Sequence, residues 1–171
     1  KGTSMMANST NTPKATGLQA EIFGVAGADG LICGNIRTEG DKQLSTHFKA
    51  SEFACPCCGV YKVHTKLLEG LEIIRSKLGV PMRIVNPASP GGQGYRCKKY
   101  ALALAARHPH ASATTKHNDG TAADINAAFS NTTTQKLYEL AEAVPQFKNG
   151  GIGQYSWGIH VDLGPKRRWN Y

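Results

Sequence analysis

The chain has no apolar run approaching the roughly 18 residues that a membrane-spanning helix requires, and no signal-peptide pattern is legible in it. No membrane span is therefore expected, and the place where the protein works stays open. Acidic side chains are scarce: 12 Asp and Glu stand against 20 Lys and Arg, for a formal charge of +8. That excess favours an anionic partner, whether nucleic acid, a membrane surface or an acidic cell-wall polymer, and carries no chemistry of its own. The basic residues are spread along the chain apart from Lys98, Lys99 and the terminal "PKRRWNY". No recognition helix or aromatic stacking motif accompanies them, so a specific nucleic-acid partner is not expected.

A second close pair of cysteines is also missing. Three of the five cysteines sit in "ACPCCG" as Cys55, Cys57 and Cys58, while Cys33 and Cys97 stand alone. This excludes a plain zinc ribbon, which wants two close pairs. An odd count leaves one thiol over in any disulfide framework. A cysteine-held structural metal, one disulfide from the cluster with Cys97 as a partner, and free thiols all stay open.

What is present suffices for one core: 171 residues with 40% apolar content can bury one substantial interior, and two would be cramped. Residues 1–44 read as an amino-terminal extension of unreadable role. Its polar start, "KGTSMMANSTNTPKATG", resembles an expression remnant, and "GLQAEIFGVAGADGLICGNI" offers one or two short strands between glycine turns. Residues 45–171 are expected to form the working unit.

Within that unit, apolar residues at 67, 68, 71, 74 and 78, closed by Gly79 and Pro81, predict a helix from Thr65 to Leu78. "YRCKKYALALAARH" predicts a second helix, with Tyr100, Leu102, Leu104 and Ala105 buried. "TTTQKLYELAEAV" predicts a third, capped by Asn131 or a following Thr and stopped by Pro145. "MRIVN" reads as a short strand ended by the loop "PASPGGQG", and "TAADINA", "GGIGQYS" and "GIHVDL" as three more. Helices early and strands late, with a hairpin at the end, predict an α+β fold: a small antiparallel sheet packed with about three helices.

The chemistry concentrates in "TTKHNDGTAADI" and "GIHVDL". Two imidazoles and a carboxylate, His117, Asp124 and His160, match the three protein ligands of a catalytic zinc, whose fourth position stays open to water. Gly120 permits a turn that a side chain would block, and Ala122 leaves room beside a metal. Residues i and i+2 of a strand share a face, so Asp162 projects with His160, where it either orients the ligand ring or acts on water. His47, His64, His108 and His110 are alternative ligands. In "RHPH" the pair flanks a proline at a helix end, which favours capping or exposure.

Taken in order, "THFKASEFACPCCG", "GYRC", "TKHNDGTAADI" and "GIHVDLGPKRRW" resemble the zinc D-alanyl-D-alanine carboxypeptidases and their phage L-alanyl-D-glutamate endopeptidase relatives, over about residues 45–171. The family pattern Ser-x-His-x-x-Gly-x-Ala-x-Asp is met by Thr115, His117, Gly120, Ala122 and Asp124. The resemblance implies the sheet architecture shared with hedgehog signalling domains and one zinc ion per chain, held by His117, Asp124 and His160. It implies Arg96 as the group that grips a substrate carboxylate or carbonyl oxygen, with Thr115 and Tyr155 beside the substrate. The implied substrate is a peptidoglycan stem peptide, and the implied setting is periplasmic, extracellular or phage-encoded and wall-directed. A monomer is expected.

Two departures stand out. Several branches of the family place an acid three residues before the final zinc histidine; this chain has Trp157 there. Asp162, from the His-Val-Asp pattern, becomes the candidate catalytic carboxylate. The loop "ARHPHASATT" replaces the family's short Asn and Gly-Gly loop, so substrate details do not carry over. The rival expectation is a zinc-containing domain that binds a wall or partner without turnover.

Overall fold

In the computed structural model, which describes residues 20–85 and 91–171, β1 (Leu31–Asn35) pairs antiparallel with β2 (Val60–His64). The single turns α1 (Ile36–Glu39) and α2 (Ala50–Phe53) lie between them. The stretch read as an expression remnant lies outside the described residues, as do Asn86 at the end of "MRIVN" and the first half of "PASPGGQG". Packing continues across residues 44 and 45: Leu44 and Ser45 are both buried, and Ile32 and Leu44 belong to the main core.

α3 (Thr65–Leu78) spans the predicted residues. His64 caps it, with Nδ1 accepting from the Lys66 N–H at 3.1 Å, and Gly79 ends it in the left-handed conformation at φ 72°. Its apolar face, Leu67, Leu68, Leu71 and Ile74, is fully buried; at roughly 1.5–3 kcal/mol per side chain this is the helix's main anchor. The remaining elements are α4 (Lys98–Ala105), β3 (Ala122–Ile125), α5 (Thr134–Glu142), α6 (Pro145–Lys148), β4 (Gly151–Gln154), β5 (Ile159–Asp162) and β6 (Arg167–Asn170). Thr133 caps α5 through its hydroxyl, which accepts from the Lys136 N–H.

The α+β class is met, with four differences in detail. Three longer helices are joined by three single turns, and Pro145 starts the last of these instead of only ending α5, since proline suits a first helical position. "MRIVN" supplies only a single bridge, Arg83 to Asn126, rather than a strand. α4 buries Ala101 alone and leaves Leu102 exposed, because the helix lies on the rim of a cavity and not across the core. The main sheet has the order β3-β5-β4-β6; its first three strands are antiparallel, but β6, formed by the basic tail, runs parallel to β4.

This sheet separates core from site by its alternation. Ala123, Ile125, Ile152, Ile159 and Val161 face the core. On the other face Asp124, His160, Gly153 and Trp169 form one row of register partners, and Ala122, Asp162, Gly151 and Arg167 form the next. The glycines of β4 are required by their neighbours in these rows: a Cβ on Gly153 would lie 2.3 Å from the Trp169 ring, and one on Gly151 would lie 2.3 Å from Asp162 Oδ2.

Candidate metal centre

His117 enters from the turn before β3. Its backbone N–H donates to Thr115 Oγ1 at 2.9 Å, and the turn closes at Gly120, whose φ of 72° and close approach to the Lys62 backbone both exclude a side chain. The ring is held by Nδ1–H donating to the Gly94 carbonyl at 2.7 Å. That bond selects the tautomer and leaves the Nε2 lone pair free to face Asp124 Oδ1 at 3.4 Å. His160 brings Nδ1 to the same oxygen at 2.9 Å. All three side chains are buried, and their ligand atoms lie within 4.8 Å of one another.

Electrostatics follow from this crowding. Burial pushes His117 down, keeping its imidazole neutral as a ligand must be. Burial acts to raise Asp124, but the two imidazoles outweigh it and hold the carboxyl well below the usual range. His160 moves the other way: burial lowers it, yet hydrogen bonds to Asp124 and Asp162 prevail and raise it. His160 has carboxylates on both ring nitrogens, and together with His117 and Asp124 it would hold a divalent cation. The donor set, two imidazoles and one carboxylate, fits zinc.

Asp162 stands behind His160, away from the cavity. Its Oδ2 accepts the Nε2–H of His160 at 2.9 Å and a guanidinium N–H of Arg167 at 2.6 Å, while Oδ1 accepts from the N–H groups of Gly164 and Gly151. Burial raises its carboxyl, but these partners hold it at about 2. Asp162, expected from sequence either to orient the His160 ring or to act on water, is wholly buried, accepts from four donors, and meets the other site residues through the His160 ring.

The centre opens on a cavity of about 410 Å³. Arg96, Thr115 and Tyr155, the three expected substrate contacts, all line it. Arg96 is more constrained than a free anion grip: its guanidinium donates to Asp124 Oδ2 at 2.8 Å and to the Gly92 carbonyl. Asn118 fixes the Arg96 backbone by donating to its carbonyl at 2.8 Å. Tyr155 stacks between Trp157 and Tyr171 and accepts from Trp169 Nε1 at 3.2 Å. Trp169 thus does two jobs, packing on Gly153 and walling the cavity.

His108 and His110 are exposed, as read from sequence, and they also line the same cavity, with the His110 ring 4.8 Å from that of Tyr171. The aromatic tail was the signal that bore on them, since β6 carries it back over the site. His47 is elsewhere, bound to the buried Glu72, and His64 serves as a helix cap. Among the described residues Asp124 is the single carboxylate lining the cavity. No helix of the described residues is long and apolar enough to cross a membrane. Comparison of the chain with models of known families, with curated proteins and with solved structures gives no match.

Proposed function

We propose that this chain is a zinc-dependent peptidase acting on the stem peptides of bacterial cell wall, of the D-Ala-D-Ala carboxypeptidase or L-Ala-D-Glu endopeptidase type. The observation that carries the reading is the convergence of His117 Nε2 and His160 Nδ1 on Asp124 Oδ1 at the floor of an open cavity. The four sequence blocks that resemble those peptidases supply the substrate class, and the charge of +8 suits a polyanionic wall.

Bound at these three side chains, zinc supplies a Lewis acid that lowers the pKa of a water and polarises a carbonyl. The chain's own residues do the rest. Gly94 and Asp162 fix the two imidazole rings through their outer nitrogens. Arg96 offers positive charge beside Asp124 for a carboxylate or developing oxyanion. Burial raises the Tyr155 phenol, so it keeps its proton and donates to a substrate oxygen. The aromatic side chains of Tyr155, Trp157, Trp169 and Tyr171 form an apolar wall beside these groups.

The test is mass spectrometry of products from purified peptidoglycan and its stem peptides, incubated with the zinc-loaded chain and with His117→Ala. Loss of a terminal alanine identifies a carboxypeptidase; a cut between L-Ala and D-Glu identifies the endopeptidase. One observation favours a second reading, a zinc-containing binding domain: position 157 is tryptophan, and among the described residues no acidic side chain besides Asp124 lines the cavity. Stable wall binding without product from folded, zinc-loaded protein selects that reading.

A further inference from the structure

Four of the five cysteines meet at a second place, beside segment 93–97. Cys55, Cys57 and Cys58 occupy the turn between α2 and β2, and Cys97 is the residue that caps α4. The sulfurs of Cys55, Cys58 and Cys97 lie within 4.8 Å of one another. The Cys57 thiol joins them through a hydrogen bond with Cys97.

The backbone around these sulfurs is arranged for anions. Cys55 N–H donates to the Val60 carbonyl and Gly59 N–H to the Cys55 carbonyl, both at 2.8 Å, while Gly59 takes φ 76°. The N–H of Cys97 reaches the Cys55 sulfur from the other stretch of chain at 3.5 Å. Tyr100 N–H points at the Cys97 sulfur at 3.4 Å, in the first turn of α4. A neutral thiol is a weak acceptor, whereas a thiolate is stabilised by amide donors and by a helix start. A wholly buried Cys55 with two further sulfurs within 4.8 Å, two of the three on one Cys-x-x-Cys-Gly turn and the third at a helix start, is the ligand geometry of a thiolate-held ion.

We propose that Cys55, Cys58 and Cys97 bind a structural zinc-class ion, separate from the His117, Asp124 and His160 centre. The Cys-x-x-Cys-Gly turn supplies two sulfurs on one knuckle, and Cys97, 42 residues on, supplies the third. Thiolate ligands select a soft divalent ion of this class. Each thiol would give up its proton to bind the ion.

The ion has a structural task that the surrounding contacts define. Segment 93–97 already leans on α2: Tyr95 N–H donates to the Phe53 carbonyl at 2.9 Å, and Gly94 sits so close that a Cβ would lie 2.4 Å from Phe53 Cα. An ion at Cys97 locks the same segment one residue from Arg96 and three from Gly94, which hold Asp124 and His117. The cysteine site stands on its own residues and holds whether or not the other centre hydrolyses a peptide.

The test uses the full chain, reduced with a phosphine and loaded with zinc or cobalt. Two zinc ions per chain are expected by mass spectrometry of metals, one of them kept in the His117→Ala, His160→Ala double variant. Cys58→Ser and Cys97→Ser are each expected to lose one ion. Because a cysteine variant that misfolds would also lose metal, the deciding spectrum is that of the double histidine variant loaded with cobalt. A thiolate-to-cobalt charge-transfer band in the near ultraviolet supports the site. Absence of that band in the folded, reduced protein overturns it, whatever the fate of the peptidase reading.

Discussion

Asp124 and His160 are register partners on neighbouring antiparallel strands, and Asp124 Oδ1 lies 2.9 Å from His160 Nδ1. Direct pairing puts both side chains on one face without help from any loop. The third ligand candidate comes from the turn that feeds β3, so the centre is as rigid as the sheet it stands on.

The outer nitrogen of His160 is held by Asp162 at 2.9 Å. Asp162→Asn removes the charge that orients and enriches this ring. The expected result is a loss of about 10- to 100-fold in zinc affinity at the histidine centre, read by competition with a chromophoric chelator. An unchanged affinity accompanied by a large fall in turnover would instead return Asp162 to a direct role in proton transfer.

Glu142 and Arg168 tie α5 to β6, with Arg168 Nε 2.5 Å and a terminal nitrogen 2.9 Å from the two carboxylate oxygens. The hydrogen bond from Arg168 outweighs burial and lowers the Glu142 carboxyl. A depressed carboxylate contributes stability that is fully present above its ordinary value of 4.5 and is lost as pH falls through the folded value. The side chains are partly exposed, so the contribution is about 1 kcal/mol or less. Glu142→Gln is expected to flatten the acid limb of stability against pH, measured by urea unfolding. Arg168→Ala is expected to cost more, about 1–3 kcal/mol, because the guanidinium also donates to the carbonyls of Gly150 and Lys148 at 2.7 and 2.9 Å.

The parts legible in the sequence are those set by local rules. Spacing of apolar residues and the Gly79 stop give α3 to the residue, and alternation in "GIHVDL" puts His160 and Asp162 on one face. What escaped depends on contacts distant in the chain. Nothing local says that "RRWN" pairs parallel with β4, because the pairing is selected by Gly153 making room for Trp169. Nor does alternation distinguish a carboxylate facing the cavity from one sealed behind a ring. Asp162 is sealed because Arg167 and two backbone N–H groups close over it. For the cysteines the sequence leaves Cys97 open as a partner of the cluster, and the contact beside it, Gly94 close against Phe53, is again distant in the chain.

Gly153 gives that dependence a measurable form. A Cβ there would stand 2.3 Å from one Trp169 ring carbon and 2.4 Å from Nε1, so Gly153→Ala must displace the indole. The expected cost is about 1–3 kcal/mol in chemical denaturation, with a change in tryptophan fluorescence and weaker substrate binding as the cavity wall moves. Gly79→Ala, at a left-handed position with nothing within 4 Å of a Cβ, is the comparison: it loses stability through backbone strain and leaves the fluorescence unchanged.

With Asp162 sealed, the peptidase reading needs another acceptor for the proton of the attacking water. Asp124 is engaged by both imidazoles and by Arg96, and a guanidinium takes no proton at working pH. The other imidazoles on the cavity are His108 and His110, on the loop that follows α4. An imidazole both accepts and donates a proton, which is what taking a proton from water and returning it to a leaving amine requires. The His108→Ala, His110→Ala double variant is therefore expected to keep its zinc and lose about 100-fold or more in kcat. The acidic limb of its pH-rate profile should also change. The single variants separate the acceptor from its neighbour, since His110 rests against Tyr171 and its removal should act more on KM if it serves only as wall. If kcat and pH profile both stay at the wild-type level, the rim histidines take no part in proton transfer, and the missing acid at Trp157 has no substitute on this loop.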